Sequence, residues 1–373
     1  MKKILILSWH PDDSSIMFAG GFKRVFEIVK RVPSDIQITC IDKYPSFFAP
    51  LASKIDIDTY TVPSFIRKIT KTNFVIGKGL EKIYISMFLV VLICRKYRDY
   101  IIYVPFSELT QLSLPAVIIK FLTRQRVVFT NLNVNHFFPE NILNPTIHSF
   151  ADKVITISKS LKNDLEKEKI YPSSVNPVGV DLTIADSIKI QKKIYDGIFV
   201  GRHTPEKGIF DAIKICALLN KSDPFKLICL GDIPDNYASK IKKLTNELKQ
   251  EKNIYFMGKV TEEEKIKYLK QSKICLFTSH QEGWGIVPME ALVSRIPVVA
   301  YNLEVYKENI ASCPAVSLVE KFEKNTFALA VSRVLESLYK DQDLHEARLK
   351  GSIIELKRFS WDKIAEEEFK LIS

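Results

Sequence analysis

Glu282 and Glu290, which are separated by seven residues, are positioned in the sequence to bind one polyhydroxyl ligand together. An apolar run over residues 274–279 predicts a buried strand, and a segment compatible with a helix begins near Val287. Glu282 therefore falls in the loop between them, and Glu290 about a turn into the helix. In an open α/β sheet, ligands bind where such loops leave the carboxyl ends of the strands. A solvated loop glutamate and an exposed helix glutamate remain the simpler interpretation of these two residues alone.

Glycines in the same loop favour a ligand-binding function. Gly283 and Gly285 allow the backbone N–H groups of the loop to approach a ligand closely, because glycine has no Cβ.

A second loop carries two cations. The strand candidate at residues 196–200 leads into Gly201-Arg202-His-Thr-Pro-Glu-Lys207-Gly208, and a helix is predicted next. Arg202 offers a forked contact, Lys207 a point charge, and the helix N-terminus adds its dipole, so this loop suits a diphosphate.

These segments resemble the signature of the family 4, or group 1, retaining glycosyltransferases with the GT-B fold. The resemblance implies that Glu290 holds the ribose of a sugar nucleotide and that Glu282 contacts hydroxyls of the donor sugar. It also implies that Arg202 and Lys207 bind the donor diphosphate. The donor-binding residues expected from the resemblance are Arg202, Lys207, Gly258, Glu282, Gly283, Trp284, Gly285, Ile286, Val287 and Glu290. The catalytic set is Glu282, Arg202, Lys207 and His136.

The whole chain fits the same fold. Apolar runs of strand length alternate with helix-length segments, and this pattern is typical of parallel sheets. We expect two Rossmann-like, doubly wound domains facing a cleft: residues 1–176 for the acceptor, residues 177–355 for the nucleotide sugar, and a helix over 356–373 that crosses back to the first domain. The strand candidates are residues 3–8, 36–41, 101–104, 127–130, 153–157, 196–200, 225–230, 254–260, 274–279 and 296–300.

The first domain offers fewer signals. Gly20 and Gly21 follow the first strand, where the resemblance places an acceptor or phosphate loop. The family also has a histidine soon after the strand ending at residue 130. Here His136 comes later, so either the loop is longer or one of the preceding asparagines makes the contact. Those asparagines are Asn131, Asn133 and Asn135.

A metal site is not expected. The segment His10-Pro11-Asp12-Asp13 is similar to the zinc motif of N-acetylglucosamine deacetylases, but Ser14 stands where that family has its glutamate base. A catalytic zinc also needs three protein ligands, and no later segment supplies the third. The resemblance to the transferases implies a metal-independent reaction with no cofactor besides the donor substrate.

Charge suggests where the protein acts. Residues 1–180 hold 24 Lys and Arg against 15 Asp and Glu, so most of the net charge of +11 lies in the first half. Solvated surface lysines explain such an excess, and so does an anionic partner. The basic and apolar stretch from Ser64 to Arg98 contains a 12-residue apolar run, Ile83 to Cys94, which is short of the roughly 18 to 20 residues that cross a bilayer. It is either a buried helix with solvated flanks or a helix lying on an anionic membrane.

Taken together, the sequence predicts a cytoplasmic hexosyltransferase, peripheral on the inner face of the membrane if the basic stretch engages lipid. It would transfer a sugar with retention from a UDP- or GDP-sugar to a glycan or lipid-linked acceptor. The six cysteines lack metal-ligand spacing and are expected to be reduced, and no nucleic-acid motif is present. A non-catalytic sugar-nucleotide-binding protein and a GT-B epimerase or phosphorylase remain the alternatives.

Overall fold

The chain forms two compact units. A computed structural model describes residues 1–8, 20–42, 47–59, 74–134, 140–184, 188 and 192–373. Unit 1 comprises Met1–Val178 and Trp361–Ser373, and unit 2 comprises Gly179–Ser360. The units therefore divide after Val178 and after Ser360, where sequence analysis placed boundaries at 176 and 355.

Unit 1 is built on a parallel sheet of seven strands among its described residues, in the order β3-β2-β1-β4-β5-β6-β7. The strands are β1 (Lys2–Leu7), β2 (Ile36–Asp42), β3 (Asp56–Thr59), β4 (Ile101–Val104), β5 (Val127–Asn131), β6 (Lys153–Thr156) and β7 (Ser174–Val175). Strand β1 begins with exposed lysine and continues as fully buried Ile4 to Leu7. Such a continuous apolar run is typical of a parallel strand covered by helices on both faces.

Helices cover both faces of this sheet. They are α1 (Gly20–Val29), α2 (Phe74–Lys96), α3 (Thr110–Thr123), α4 (Glu140–Ser149), α5 (Lys159–Lys167) and α13 (Trp361–Ile372). Helix α1 connects β1 to β2, whereas α2 runs back across the sheet from β3 to β4. Because such crossovers are right-handed, α1 lies on one face and α2, α3 and α4 lie on the other. Helix α13 packs against α1, and α3 packs against both α2 and α4.

A buried ion pair fastens the last helix to the rest of unit 1. Arg24 on α1 donates to both carboxylate oxygens of Glu368 on α13, at 3.1 and 2.7 Å, and neither side chain is exposed to solvent. Arg24 also donates to the carbonyl oxygen of Asn176, and the side chain of Asn176 donates to Glu368 at 2.5 Å. Tyr103 on β4 and Thr130 on β5 complete the shell around the carboxylate. The network keeps the pKa of Glu368 below its usual range, despite burial, because Arg24 stabilises its charge.

Unit 2 has a parallel sheet of six described strands in the order β10-β9-β8-β11-β12-β13. They are β8 (Tyr195–Val200), β9 (Leu227–Leu230), β10 (Ile254–Gly258), β11 (Ser272–Phe277), β12 (Val298–Tyr301) and β13 (Val316–Val319). The helices are α6 (Ile209–Leu219), α7 (Asp235–Glu247), α8 (Glu262–Gln271), α9 (Ile286–Val293), α10 (Tyr306–Asn309), α11 (Lys324–Lys340) and α12 (Gln342–Leu356). Side chains from β8, β9, β11 and β12 pack with α6 and α11 into one apolar core.

The predicted class of two doubly wound parallel sheets is confirmed, and each strand candidate corresponds to a strand. Three strands were not predicted: β3, β7 and β13. Strand β3 reads Asp-Ile-Asp-Thr and β7 has two residues, so neither presents an apolar run. Helix α8 begins with a capping box, in which the side chains of Thr261 and Glu264 each accept a hydrogen bond from the other's backbone N–H.

Replacing Arg24 should destabilise unit 1 strongly, because Glu368 would keep a buried charge without its cation. We expect Arg24→Met to cost about 3 to 5 kcal/mol of unfolding free energy, measured by urea denaturation at neutral pH. The double variant Arg24→Met/Glu368→Met should recover most of that loss, since removing both charges removes the unpaired one.

The matched control is Arg31→Met. Arg31 lies just after α1 and pairs with Glu27 of that helix and, at 2.6 Å, with Asp362 of α13, whose side chain is 86% exposed. Such a pair contributes at most about 1 kcal/mol. Equal losses for the two arginines would show that the Arg24 pair has no special role.

Candidate active site

The strand order of unit 2 reverses beside β8, and the candidate site lies there. From β8 the chain builds β9 and β10 on one side, and then returns to place β11, β12 and β13 on the other. The loops after β8 and β11 consequently leave neighbouring strands in opposite directions and open a crevice at the carboxyl edge of the sheet. The loop after β8 holds Arg202 and Lys207, and the loop after β11 holds Glu282.

Backbone contacts join these two loops. Gly208 has φ of 75°, and a Cβ added there would lie 1.8 Å from the carbonyl oxygen of Thr278. The position therefore requires glycine, both for its conformation and for its close approach. The Thr278 hydroxyl donates to the Gly208 carbonyl at 2.8 Å, and the backbone N–H of His280 donates to the carbonyl of Glu206 at 2.8 Å.

The charged groups of the two loops meet directly. Lys207 Nζ lies 2.6 Å from Glu282 Oε1, and the hydroxyl of Ser279 donates to the same oxygen at 2.8 Å. The lysine side chain is 27% exposed and the glutamate 11% exposed, so both remain within reach of a ligand. Arg202 is exposed in the same loop. The structure thus brings together two residues of the predicted catalytic set, Lys207 and Glu282, and a third, Arg202, lies in the same loop as Lys207.

Helix α9 begins immediately beyond Glu282. Its N-cap is Gly285, with φ of 81°, and no side chain caps the helix. The first N–H groups of an α-helix have no partner within the helix, so those of Ile286 and Val287 are directed outward from this end. They supply donors for an anion or a sugar hydroxyl. Trp284 is buried, and its carbonyl accepts from Asn309, which holds the loop against α10.

Glu290 has a different environment from Glu282. Its side chain is 2% exposed, and its Oε2 lies 2.7 Å from Nζ of Lys265 on α8. Lys265 also contacts Glu262 at 2.9 Å. The two glutamates of the signature are therefore each paired with a different lysine, one accessible and one buried.

Sequence analysis did not identify Lys265. The residue lies in a segment rich in glutamate and lysine, and such a composition predicts a solvated helix face. Its position four residues before the buried Leu269 is the available signal, because residues so spaced share one face of a helix.

Gly258 ends β10, two strands away from β8. A Cβ added there would meet no atom within 4 Å, although φ is 69°. Its carbonyl accepts from the N–H of Gly231, and Gly231 donates from the end of β9, beside Gly201. The ends of β8, β9 and β10 are thereby continuous, but no described contact joins Gly258 to Lys207 or Glu282.

A second polar cluster supports the loop of Lys207. Asp211, in the first turn of α6, accepts from Nε2 of His280 and from the hydroxyl of Tyr301, both at 2.9 Å. Lys324 Nζ lies 3.3 Å from the other oxygen of Asp211. The cluster joins α6 to β12 and to the loop after β11, so it positions the turn that carries Lys207. His280 lies two residues before Glu282, but the sequence alone did not indicate that its ring pairs with Asp211.

The predicted acceptor residues of unit 1 are only partly described. Gly20 and Gly21 are the first residues of α1, and a Cβ at Gly21 would lie 2.9 Å from Leu132. His136, Asn135 and residues 9–19, including His10, Asp12 and Asp13, lie outside the described residues.

Two of the asparagines offered as substitutes for His136 are described. Asn131 is buried and accepts from the hydroxyl of Ser107 at 3.0 Å. Asn133 is exposed, and its side-chain oxygen accepts from the N–H of Val134. Of these two, Asn133 is the one whose side chain a ligand reaches directly.

In unit 1 the strand order reverses between β1 and β4, and Glu108 lies at this position. Sequence analysis did not identify this residue. Glu108 follows β4, and its Oε2 lies 3.5 Å from the backbone nitrogen of Leu132 after β5. Burial raises the pKa of Glu108 to about 7. A carboxyl group with such a pKa at the carboxyl edge of a sheet is a candidate for binding or exchanging a proton with a hydroxyl. Its isolated position in the sequence offers no motif.

Comparison with known proteins agrees with this geometry. Residues 182–350 match the family described as glycosyl transferases group 1. The predicted resemblance to group 1 glycosyltransferases is thereby confirmed.

Two curated relatives place the group 1 region among named glycosyltransferases. An uncharacterized glycosyltransferase of Methanocaldococcus jannaschii is 27% identical over 234 residues, which cover 58% of each chain. The O-antigen chain mannosyltransferase of Salmonella typhimurium is 32% identical over 159 residues, covering 41% of this chain and 40% of that protein. The chain spans about half the length of these curated relatives.

A solved structure extends the likeness to both units. The Anabaena protein Alr3699/HepE, crystallised with UDP and glucose, is similar with a TM-score of 0.74 and 17% sequence identity, over 99% of both chains. The likeness confirms the GT-B fold that was predicted from the sequence.

Lys265 should stabilise the group 1 region through Glu290. We expect Lys265→Met to cost about 3 to 5 kcal/mol of unfolding free energy, because it removes the cation from a buried carboxylate. Lys267→Met, at an exposed position of the same helix, should stay within about 0.5 kcal/mol of the wild type in the same urea titration. A loss at Lys265 no larger than at Lys267 would show that the pair does not hold Glu290.

His148 should make the protein less stable in acid. Its ring nitrogens face the carbonyl of Asn144 at 2.7 Å and the hydroxyl of Ser107 at 3.1 Å, and burial lowers the pKa of His148 to about 4. In the unfolded state His148 has its ordinary pKa of about 6.5 and is protonated below that pH, whereas in the folded state it stays neutral until about pH 4. The folded protein therefore loses stability as the pH drops from about 6.5 to about 4.

The expected loss over that range is roughly 3 kcal/mol from this one residue. The measurement is urea unfolding at neutral pH and near pH 4.5, with His148→Gln beside the wild type. The variant should lose less stability than the wild type between the two pH values. His345→Gln, at a half-buried ring on unit 2, is the comparison: burial lowers the pKa of this ring as well, so the variant should relieve a smaller part of the acid loss. An identical acid loss in the wild type and in His148→Gln would contradict the assignment.

Proposed function

We propose that the protein is a retaining glycosyltransferase of the hexosyltransferase type. It would transfer a sugar from a UDP- or GDP-sugar to a hydroxyl group of a glycan or lipid-linked acceptor. The observation that carries the proposal is the meeting of Lys207 and Glu282, 2.6 Å apart, beside the uncapped N-terminus of α9 at the switch point of unit 2. A cation, a carboxylate and free backbone N–H groups are the three types of group that a diphosphate sugar needs.

Each residue has a distinct task in the proposed reaction. Arg202 and Lys207 stabilise the negative charge that develops on the diphosphate as the bond to the sugar breaks. This task is performed by a metal ion in other transferases, so the proposed reaction requires none. Glu282 accepts from hydroxyls of the sugar, and Glu290 from the ribose. The acceptor oxygen forms the new bond on the face that the diphosphate leaves, and its proton passes to the departing phosphate.

The Lys207–Glu282 pair also suits an exchange of partners. The lysine is accessible, so a diphosphate oxygen can replace the glutamate as its partner, which would leave Glu282 to accept from the sugar. We propose this exchange as the first event of donor binding. A retaining transfer by a front-side mechanism needs no protein nucleophile, and His136, the other predicted catalytic residue, remains a proposed contact of the donor sugar.

We place the reaction in the cytoplasm, at the inner face of the membrane. The support is the basic excess of residues 1–180, which an anionic lipid surface would attract. A lipid-linked acceptor would be found at such a surface. Within the described part of the chain, no helix combines the length and the apolar character needed to cross a bilayer.

A thermal-shift screen tests the donor assignment. The purified protein is heated with UDP, GDP, ADP and their common sugars in EDTA. A nucleotide at about 100 times its dissociation constant should add near 2.7 kcal/mol of stability, which is a visible shift. A shift with UDP or GDP, followed by transfer or slow donor hydrolysis, supports the transferase. Binding without turnover favours the non-catalytic alternative, and turnover that depends on inorganic phosphate favours a phosphorylase.

Arg202→Ala should weaken binding of the nucleoside diphosphate far more than binding of the nucleoside, because it removes a charge-assisted contact worth about 1.5 to 3 kcal/mol. Lys207→Ala should act in the same direction, but it also leaves Glu282 without its cation. Affinities are measured by calorimetry with UDP and uridine, or with GDP and guanosine.

Lys221→Ala is the matched control for both variants. Lys221 is exposed beyond the other end of α6, away from the loop of Lys207. It should leave both affinities unchanged. Equal losses for nucleotide and nucleoside in Arg202→Ala would rule out the diphosphate contact.

A further inference from the structure

The outward face of helix α2 is apolar. Ile85, Leu89 and Ile93 follow each other at four-residue spacing and are buried against unit 1. The opposite face carries Ile83, Met87 and Val91, whose exposed fractions are 59%, 66% and 52%. A helix on the surface of a water-soluble domain normally has polar residues on its outer face. Three successive turns of α2 do not follow this rule.

The neighbouring helices continue the same surface. On α3, Leu114, Ile118 and Phe121 are exposed at a spacing of four and three residues, so they share one face of the helix. The ring of Phe121 is 65% exposed and packs edge-on against Phe150, just after α4, with the ring centroids 5.2 Å apart. On α4, Ile142 is 62% exposed.

Because α3 packs between α2 and α4, the exposed side chains of the three helices form one surface, which we call the apolar face. It lies on the side of the sheet opposite to α1 and α13. Single exposed apolar residues are ordinary on proteins, but several of them on three helices that pack side by side are typical of a binding surface.

Positive charge borders one end of the apolar face. Helices α2 and α3 lead into the parallel strands β4 and β5, so both helices end at the same edge of the unit. Exposed Arg95 and Lys96 lie at the end of α2, and exposed Arg124 is the C-cap of α3. The nearby carboxylates are engaged: Asp58 lies 2.8 Å from Lys96, and Asp99 lies 2.5 Å from Lys3. Lys96 is therefore neutralised by its pair, and Arg95 and Arg124 supply the positive charge of the border.

The charge decides between two partners that would cover an apolar surface. If a second copy of the chain covered this surface, the cationic borders of the two copies would repel each other, and the net charge of +11 on each copy would also oppose the association. An anionic lipid surface is complementary to both features, because phosphate groups lie directly above acyl chains. Amphipathic surfaces with basic borders bind at this boundary.

We propose that the apolar face formed by α2, α3 and α4 docks onto an anionic lipid bilayer. Ile83, Met87, Val91 and Phe121 enter the boundary between headgroups and acyl chains, while Arg95 and Arg124 contact lipid phosphates. The contact is peripheral. This inference deepens the membrane location that is part of the proposed function, and it concerns unit 1 alone, so it does not depend on the donor site in unit 2.

The test is flotation of the full chain with vesicles of phosphatidylcholine, with and without phosphatidylglycerol. The wild type should float with vesicles that contain phosphatidylglycerol. Met87→Glu/Phe121→Glu should lower the bound fraction more than about tenfold, because two charges would enter the acyl boundary. Arg95→Gln/Arg124→Asn should lower the affinity for the anionic vesicles by roughly fivefold for each charge removed.

Leu344→Glu/Ile354→Glu is the matched control. Leu344 and Ile354 are 46% and 62% exposed on α12 of unit 2, so this variant adds the same two charges at exposed apolar positions outside the apolar face. It should float like the wild type. Thermal unfolding of each variant shows that the fold is retained, as expected for exposed positions.

Three results would overturn the proposal: a wild type that does not float, equal flotation of Met87→Glu/Phe121→Glu and the wild type, or a wild-type dimer that this double variant converts to a monomer without any vesicle binding. The last result would assign the apolar face to a second copy of the chain. The nucleotide thermal shift is measured on the same samples. Its absence would remove the proposed donor chemistry and leave the vesicle result standing.

Discussion

Parallel strand pairing is the constraint on which the site depends. Each described strand of both sheets runs parallel to its neighbours, so every connection from a strand to the following helix emerges at one edge. Chain order reverses beside β1 in unit 1 and beside β8 in unit 2. At each reversal two loops diverge, and a crevice opens that helices cannot fill. Arg202, Lys207 and Glu282 fall in the crevice loops of unit 2, and Glu108 in the corresponding loop of unit 1.

Three ion pairs show how burial separates structural roles from functional ones. Arg24 and Glu368 are inaccessible and are surrounded by further hydrogen bonds, so no ligand can replace either partner. Lys265 and Glu290 are nearly inaccessible, and their pair orients a carboxylate of the signature. Lys207 and Glu282 are partly accessible, and in the proposed donor binding they would exchange each other for the charges and hydroxyls of a ligand. Ion pairs of the same type thus serve packing in one place and a proposed binding role in another.

Unit 1 has two surfaces of different character. Its carboxyl edge is polar, with Glu108 and Asn133 near the end of β4 and β5, and it suits a hydroxyl-bearing acceptor. Its helical layer α2, α3 and α4 is apolar on the outside and cationic at one end. The two surfaces are separate, because the polar one lies at the carboxyl edge of the sheet and the apolar one lies on the helices that cover one face of the sheet. The proposed transfer to a lipid-linked acceptor would use both surfaces.

The sequence by itself determined the local elements. Apolar runs predicted the strands that are buried on both faces, and the Gly-flanked cations and paired glutamates predicted which loops carry the candidate site. These features are encoded within a few neighbouring residues. Strands β3 and β7 could not be predicted in this way, because one contains two aspartates and the other has two residues, and their pairing is supplied by the adjacent strand.

Tertiary structure alone decided the partners. Arg24 and Glu368 are 344 positions apart, and Lys207 and Glu282 are 75 positions apart, so no local pattern could pair them. The run from Ile83 to Cys94 is apolar on all sides, and periodicity therefore could not tell its buried side from its exposed side. Packing against α3 and the rest of unit 1 decided which side of the helix is buried. Burial also set the pKa of Glu108 and His148, since desolvation depends on neighbours that arrive from distant parts of the chain.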